Sequence, residues 1–209
     1  DLAAIFKAVF AGIKEKTPFK TSDSRLGWFI VLGTIPAGLA GLLLKDRVEA
    51  VFNSPLITAV LLLVTAILLT TAEFLSKKER QLEALTWQDS LMVGFFQALA
   101  IFPGVSRSGA TMSGGLFKGY TREAAARFSF LLSIPIMLAA GLLSVIDLVN
   151  APFFLEFLPV LLLGFVIAGV IGYLSIRWLL GYVKNNSLYG FAIYCMVISV
   201  VTIVVFFIR

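Results

Sequence analysis

One stretch of this 209-residue chain gathers residue types suited to binding an anion: Gln97-Ala-Leu-Ala-Ile-Phe-Pro103-Gly104-Val-Ser106-Arg107-Ser108-Gly109-Ala-Thr111. Arg107 offers a planar fork that can hold two phosphate oxygens at once. Ser106, Ser108 and Thr111 add hydroxyl donors, while Gly104 and Gly109 let the backbone approach a ligand closely. A helix is expected to open near Gly109–Ser113, and its free N–H groups and positive dipole end favour an anion. Glycine and serine alone would serve helix packing in a membrane just as well. The arginine changes the balance, because a charge near the bilayer centre costs about 2.5–3.5 kcal/mol and calls for an anionic partner. Phosphate is the anion that this set of donors suits.

The rest of the chain must position that cluster inside a membrane. Hydrophobic residues make up 59% of it and charged ones only 14%, with mean hydropathy +0.98, too few charges to cover a water-facing surface. Five spans of about 20 apolar residues are expected: Gly27–Leu44, Pro55–Leu75, Phe128–Ile146, Phe157–Leu180 and Leu188–Ile208. The opening stretch, Leu2 to Ile13, is too short to span and carries apolar residues at helical spacing, which predicts an amphipathic helix lying in the interface. Ser90–Phe117 fits neither pattern. Pro103-Gly104 and the polar turn split it into halves of about 12 residues, each able to reach the bilayer middle and too short to cross it. The expected fold is therefore an all-α polytopic membrane protein with about five transmembrane helices plus one re-entrant helical hairpin.

Charge orients it. With both hairpin ends on one side, 13 of the 17 Lys and Arg residues fall in loops on that side, which the positive-inside rule makes cytoplasmic. The hairpin tip then reaches roughly the midplane. Residues 1–209 form a single integral membrane domain. Within it, residues 90–209 read as one repeat (hairpin, then three spans), and residues 1–75 as the remainder of a second, inverted copy lacking a hairpin and one span. The start at Asp1, with no initiator Met, fits that reading. Inverted repeats hold their site where broken helices meet.

Several classes drop out. The chain has no histidine, so phosphohistidine enzymes, Ser-His-Asp triads and His-ligated metals are excluded. Its single cysteine, Cys195, can form no internal disulfide. The net charge of +5 is taken up by orientation, so membrane lipids and not nucleic acid are the expected partners. Glu73 reads as an interfacial anchor, and Lys77-Lys78-Glu79-Arg80 with Glu83 as a solvated linker. Thr121 reads as a helix cap; Arg122 and Arg127 read as orientation signals, with Arg127 able to approach the site. Phe153-Phe154 and Phe206-Phe207 are expected to face lipid, and Gly164, Gly169 and Gly172 to allow close helix packing.

The run from Gln97 to Thr111 resembles the second signature of bacterial undecaprenyl-diphosphate phosphatases, the bacitracin-resistance family. The likeness extends to Arg127-Phe-Ser-Phe-Leu-Leu-Ser-Ile-Pro135 and to Gly33-Thr-Ile-Pro-Ala-Gly-Leu, so it covers nearly the whole chain. It implies hydrolysis of undecaprenyl diphosphate to the monophosphate, the lipid carrier of cell-wall synthesis, in the bacterial plasma (inner) membrane. By the same resemblance Arg107, Ser106 and Thr111 are the catalytic set, with Arg107 gripping the diphosphate. Gln97, Gly104, Ser108 and Gly109 line the substrate, Gln97 standing near where the other repeat would carry its glutamate motif. The family's first signature, rich in Glu and ending in Pro-Val-Ser-Ser-Thr-Gly-His, does not occur here, so the chain alone is expected to be inactive. A divalent cation (Mg2+ or Ca2+) is implied, its ligands in that absent segment and none in this chain. A homodimer and a site opening to the extracytoplasmic side complete the expectation. The alternative is a polyprenyl-phosphate transporter or flippase, since broken helices in inverted repeats are also transporter architecture.

Overall fold

The computed structural model describes residues 2–149 and 154–208. They fold into α1 (Leu2–Lys14), α2 (Ser22–Leu43), α3 (Lys45–Phe52), α4 (Pro55–Leu75), α5 (Trp87–Leu99), α6 (Arg107–Phe117), α7 (Arg122–Val149), α8 (Phe154–Asn185) and α9 (Tyr189–Ile208), with a 3-10 turn at Leu82–Ala84. Asp1, Phe153, Arg209 and the middle of the 147–156 connection lie outside the described residues. Five helices are long and apolar enough to cross a membrane: Ser22–Leu43, Pro55–Leu75, Arg122–Ile146, Glu156–Asn185 and Tyr189–Ile208. These are the five expected spans, and the chain is a multi-pass, all-α membrane protein.

Side-chain caps set the helix starts. The Thr21 hydroxyl accepts the Ser24 N–H at 3.1 Å, and Thr121 accepts that of Ala124 at 3.2 Å. Ser54 caps α4 just ahead of Pro55 at the first helical position, where proline costs no hydrogen bond. Thr86 and Asp89 form a reciprocal capping box at the start of α5, so this half-helix begins three residues earlier than expected. The helix α6 also opens early, at Arg107 rather than near Gly109, because Ser106 caps it.

Two expectations fail. The helix α1 does not lie across the ends of the spans. It packs lengthwise and antiparallel on α2, with Gly12 beside Ser24 and Gly27 against Val9 and Ile5. Only Ile5 and Val9 of its apolar stripe meet α2; Leu2, Phe6, Phe10 and Ile13 stay exposed. Gly164, Gly169 and Gly172 meet nothing within 4 Å. The helix α8 touches chiefly α7 and leaves Val160, Phe165, Val166 and Ile171 exposed, as does α9 with Phe206 and Phe207; these faces suit lipid.

The packed centre is α6. Its sequence, RSGATMSGGLF, is small on every side, which lets three helices approach its backbone. Gly109 faces the Thr65 methyl of α4, Gly114 the Phe96 ring of α5, and Gly115 the Ala125 methyl of α7. Residues from Gly109 to Leu116 are all buried. Around this centre α2 packs on α5, where the Ser90 hydroxyl donates to the Phe29 carbonyl at 2.5 Å. The helices α4 and α9 run antiparallel, joined at one level by the Ser199 hydroxyl donating to the Ala59 carbonyl at 2.7 Å.

Candidate active site

The helices α5 and α6 form the expected hairpin. With 13 and 11 residues they rise about 20 and 16 Å, and a turn at residues 100–106 joins them. The base is closed by one buried carboxylate. Asp89, at the start of α5, accepts from Arg80 Nη2 at 2.8 Å, from the Tyr120 hydroxyl at 2.7 Å and from the Thr86 hydroxyl at 2.7 Å, and pairs with Lys118 Nζ at 3.3 Å. Arg80 also stacks over the Tyr120 ring at 4.4 Å and donates to the Lys118 carbonyl at 3.0 Å. Both ends of the hairpin therefore sit at one end of the molecule. Burial pushes the Asp89 carboxyl up, but the hydrogen bonds from Arg80, Tyr120, Thr86 and Lys118 outweigh it and hold it well below the usual carboxylate range.

A second buried carboxylate braces the neighbouring helices. Glu73, in the last turn of α4, receives Arg122 Nε at 2.9 and 3.1 Å on its two oxygens, and Nη2 as well. It also takes Lys78 Nζ at 3.4 Å and the Leu188 N–H at 3.4 Å. Glu73, read as an interfacial anchor, is thus a buried junction of α4, α7 and the start of α9. Lys78 and Arg80 serve these carboxylates, so the expected solvated linker is half docked. Sequence reasoning missed both junctions because their members lie far apart along the chain; the Thr86–Asp89 capping pattern was the one local signal.

At the other end the turn leans on α4. Gly104 has φ +98°, and a Cβ there would collide with the Thr58 carbonyl, so this position requires glycine twice over. The Ser106 N–H donates to the Thr65 hydroxyl at 3.0 Å. Thr65 is the central residue of α4, Pro55–Leu75, so the start of α6 lies level with the middle of a span, while Gly104 lies nearer the Pro55 end.

The predicted site residues divide into two groups. Gly104, Ser106, Arg107, Ser108 and Gly109 share the turn and the first turn of α6. The Ser106 hydroxyl accepts the Gly109 N–H at 3.2 Å and keeps its own proton to donate. Arg107 Nη1 is buried with no hydrogen-bond partner, and no described carboxylate pairs with it. Thr111 and Gln97 lie deeper. The Thr111 hydroxyl bonds the Arg107 carbonyl at 2.8 Å and the Ser129 hydroxyl of α7 at 2.5 Å, so it braces the turn from below. Gln97, two residues from the end of α5, is 2% exposed, and neither its Oε1 nor its Nε2 has a partner. A buried unpaired carboxamide costs about 1–3 kcal/mol per group, which marks it for a ligand or water. Arg127 does not approach. It lines a polar cavity with Asp23, Arg25 and Glu83, at the base end of the hairpin. Thr65 and Ser129 join the site unpredicted; both are hydroxyls inside apolar runs that read as ordinary span residues.

The donor set fits an anion and not a cation. Mg2+ and Ca2+ take carboxylate and other hard oxygen ligands, whereas the turn offers a guanidinium, N–H groups and hydroxyls. Among the described residues no three His, Cys, Asp or Glu converge. No step is therefore assigned to a metal here.

Comparison with known proteins gives the arrangement its family. The model of the family described as Bacitracin resistance protein BacA matches residues 1–201. The chain is 42% identical over 205 residues to the undecaprenyl-diphosphatase of Mycolicibacterium smegmatis, covering 97% of this chain and 74% of that protein. It is 46% identical over 199 residues to undecaprenyl-diphosphatase 1 of Corynebacterium jeikeium, covering 93% and 69%. The undecaprenyl-diphosphatase of Chloroherpeton thalassium is 40% identical over 218 residues, covering 96% and 74%. An intramembrane arginine at the head of a buried, glycine-rich half-helix and a match along nearly the whole chain agree, and the chain belongs to the bacitracin resistance protein BacA family.

Proposed function

We propose that this chain carries the diphosphate-gripping half of an enzyme that hydrolyses undecaprenyl diphosphate to undecaprenyl phosphate, recycling the lipid carrier of cell-wall synthesis and conferring resistance to bacitracin. The observation that carries the reading is Arg107, whose buried Nη1 has no partner among the described residues. Its fork binds oxygens of the diphosphate. When the nucleophile, water or a serine hydroxyl such as that of Ser106, attacks the terminal phosphorus, the bond from that phosphorus to the bridging oxygen breaks, and negative charge moves onto the lipid phosphate that leaves. Arg107 offsets that charge, which is the usual role of arginine in phosphoryl transfer. Ser106 and Ser108 donate to the same oxygens, while Gly104 and Gly109, expected to clear a path for the ligand, instead make room for Thr58 and Thr65 of α4 and seat the turn. Thr111 reaches substrate only if its hydroxyl leaves Ser129; otherwise it holds the first turn of α6 in place. Gln97 supplies a donor and an acceptor to a bound water or to the substrate. A divalent cation of the kind the resemblance implies, Mg2+ or Ca2+, would take its ligands from outside this turn.

The site is proposed to open to the extracytoplasmic side of the bacterial plasma membrane. Gly104 lies toward the Pro55 end of α4, away from the Lys- and Arg-rich end marked by Arg80, Lys118 and Arg122. The antiparallel pairing of α4 with α9 supports the inverted-repeat reading, since each closes its half of the chain. The test is phosphate release from the full-length protein, the family's first signature included, purified in detergent and given undecaprenyl diphosphate. Release in the wild type and its loss in Arg107→Lys are expected. Lipid translocation in vesicles without phosphate release would favour the transporter instead.

A further inference from the structure

We infer that Thr65 of α4 is a positioning residue for the anion-binding turn; this rests on the phosphatase reading above. A complete account of the N–H groups at the start of α6 carries the inference. A helix leaves the N–H groups of its cap residue and first three residues without intrahelical partners. For α6 these belong to Ser106, Arg107, Ser108 and Gly109. The Gly109 N–H is taken by the Ser106 hydroxyl at 3.2 Å, and the Ser106 N–H by the Thr65 hydroxyl at 3.0 Å. The N–H groups of Arg107 and Ser108 have no acceptor among the described residues. Two adjacent backbone donors therefore remain, next to the unpaired guanidinium nitrogen.

Thr65 decides where those two donors stand. It is 0% exposed, and its own proton goes to the Leu61 carbonyl at 3.4 Å, which leaves lone pairs for Ser106. Its methyl group fills the space beside Gly109. One side chain from a helix 41 residues away thus fixes both the height and the rotation of the first turn of α6. Its removal leaves the Ser106 N–H unsatisfied at a depth where water is scarce. That N–H then competes for the ligand or drags the turn, and the alignment of the other two donors is lost. Misalignment of this kind lowers the rate of the chemical step more than it weakens binding.

The experiment compares Thr65→Val, which keeps the shape and removes the acceptor, with Thr65→Ser, which keeps the acceptor. Each is made in the full-length protein and assayed for phosphate release and melting temperature in detergent, and for hydrogen exchange of the peptide containing Ser106. Thr65→Val is expected to lower kcat at least tenfold, to leave KM within threefold and to speed exchange at Ser106. Thr65→Ser is expected to hold kcat within threefold of wild type. A folded Thr65→Val with kcat within threefold of wild type overturns the inference. Equal loss in both variants also overturns it, since packing and not the acceptor would then matter. If Thr65→Val does not fold, Thr65→Ala makes the same comparison by opening space. A full-length wild-type protein that releases no phosphate defeats the phosphatase reading instead, and exchange at Ser106 still tests Thr65.

Discussion

The carboxylate of Asp89, at the start of α5, accepts a 2.7 Å hydrogen bond from the hydroxyl of Tyr120, just beyond α6, so one ionised group ties the two ends of the hairpin. Its carboxyl is held below the usual range by the hydrogen bonds from Arg80, Tyr120, Thr86 and Lys118, which overcome the opposing effect of burial. A depressed folded value means that the stabilisation is present in full above the unfolded value, about pH 3.9, and fades as pH falls through the lower folded value. The melting temperature should therefore be flat from pH 7 to 5 and fall below about pH 4. Asp89→Asn should cost about 1–3 kcal/mol at neutral pH and flatten part of the acid slope. An unchanged acid slope in Asp89→Asn would show that other carboxylates carry it.

Arg107→Lys keeps the charge and loses the fork. Phosphate release should fall by about a hundredfold or more, the size expected for one transition-state donor, with the melting temperature unchanged. Near-normal turnover in a folded protein would rule out two-point binding of the diphosphate.

Two glycines with positive φ give a paired test of the hairpin tip. Gly119, φ +80°, has only Arg80 Cδ at 3.8 Å near its missing Cβ, so Gly119→Ala should cost about 1–2 kcal/mol for conformation alone. Gly104→Ala meets the Thr58 carbonyl as well and should cost clearly more, with a matching loss of activity. Equal costs, measured by thermal unfolding, would mean that contact with α4 does not hold the tip.

The hairpin makes a topological prediction. In a Cys195→Ala background, Gln88→Cys and Glu123→Cys should both react with a membrane-impermeant thiol reagent from the cytoplasmic face. Reaction from opposite faces would require an odd number of crossings and defeat the hairpin. Ser108→Cys should react from the extracytoplasmic face and be protected by substrate; reaction only from the cytoplasm would reverse the proposed opening.

The division between what was legible and what was not follows the range of the forces involved. The five spans could be read because length and hydropathy decide whether a helix crosses a bilayer, whatever its neighbours. The break at Pro103-Gly104 was legible for the same local reason. So was the anion-binding character of Arg107 with its serines, since an isolated charge among apolar residues is costly at any packing. The family resemblance added the substrate but no geometry.

What the amino-acid sequence could not decide was which polar groups would meet. Glu73 read as an interfacial anchor and Asp89 drew no reading at all, until folding brought Arg122 and Leu188 to one, and Arg80, Tyr120 and Lys118 to the other. The helical spacing of α1 gave no sign that Ile5 and Val9 would meet Gly27 of α2. Thr65, Thr111 and Ser129 are hydroxyls whose partners, 41 and 18 residues distant, exist only once α4, α6 and α7 are side by side. Spans and a charged turn follow from the transfer of single residues between water and lipid, which sequence alone determines. The height and aim of the turn follow from directional bonds between distant helices, and those belong to the tertiary structure.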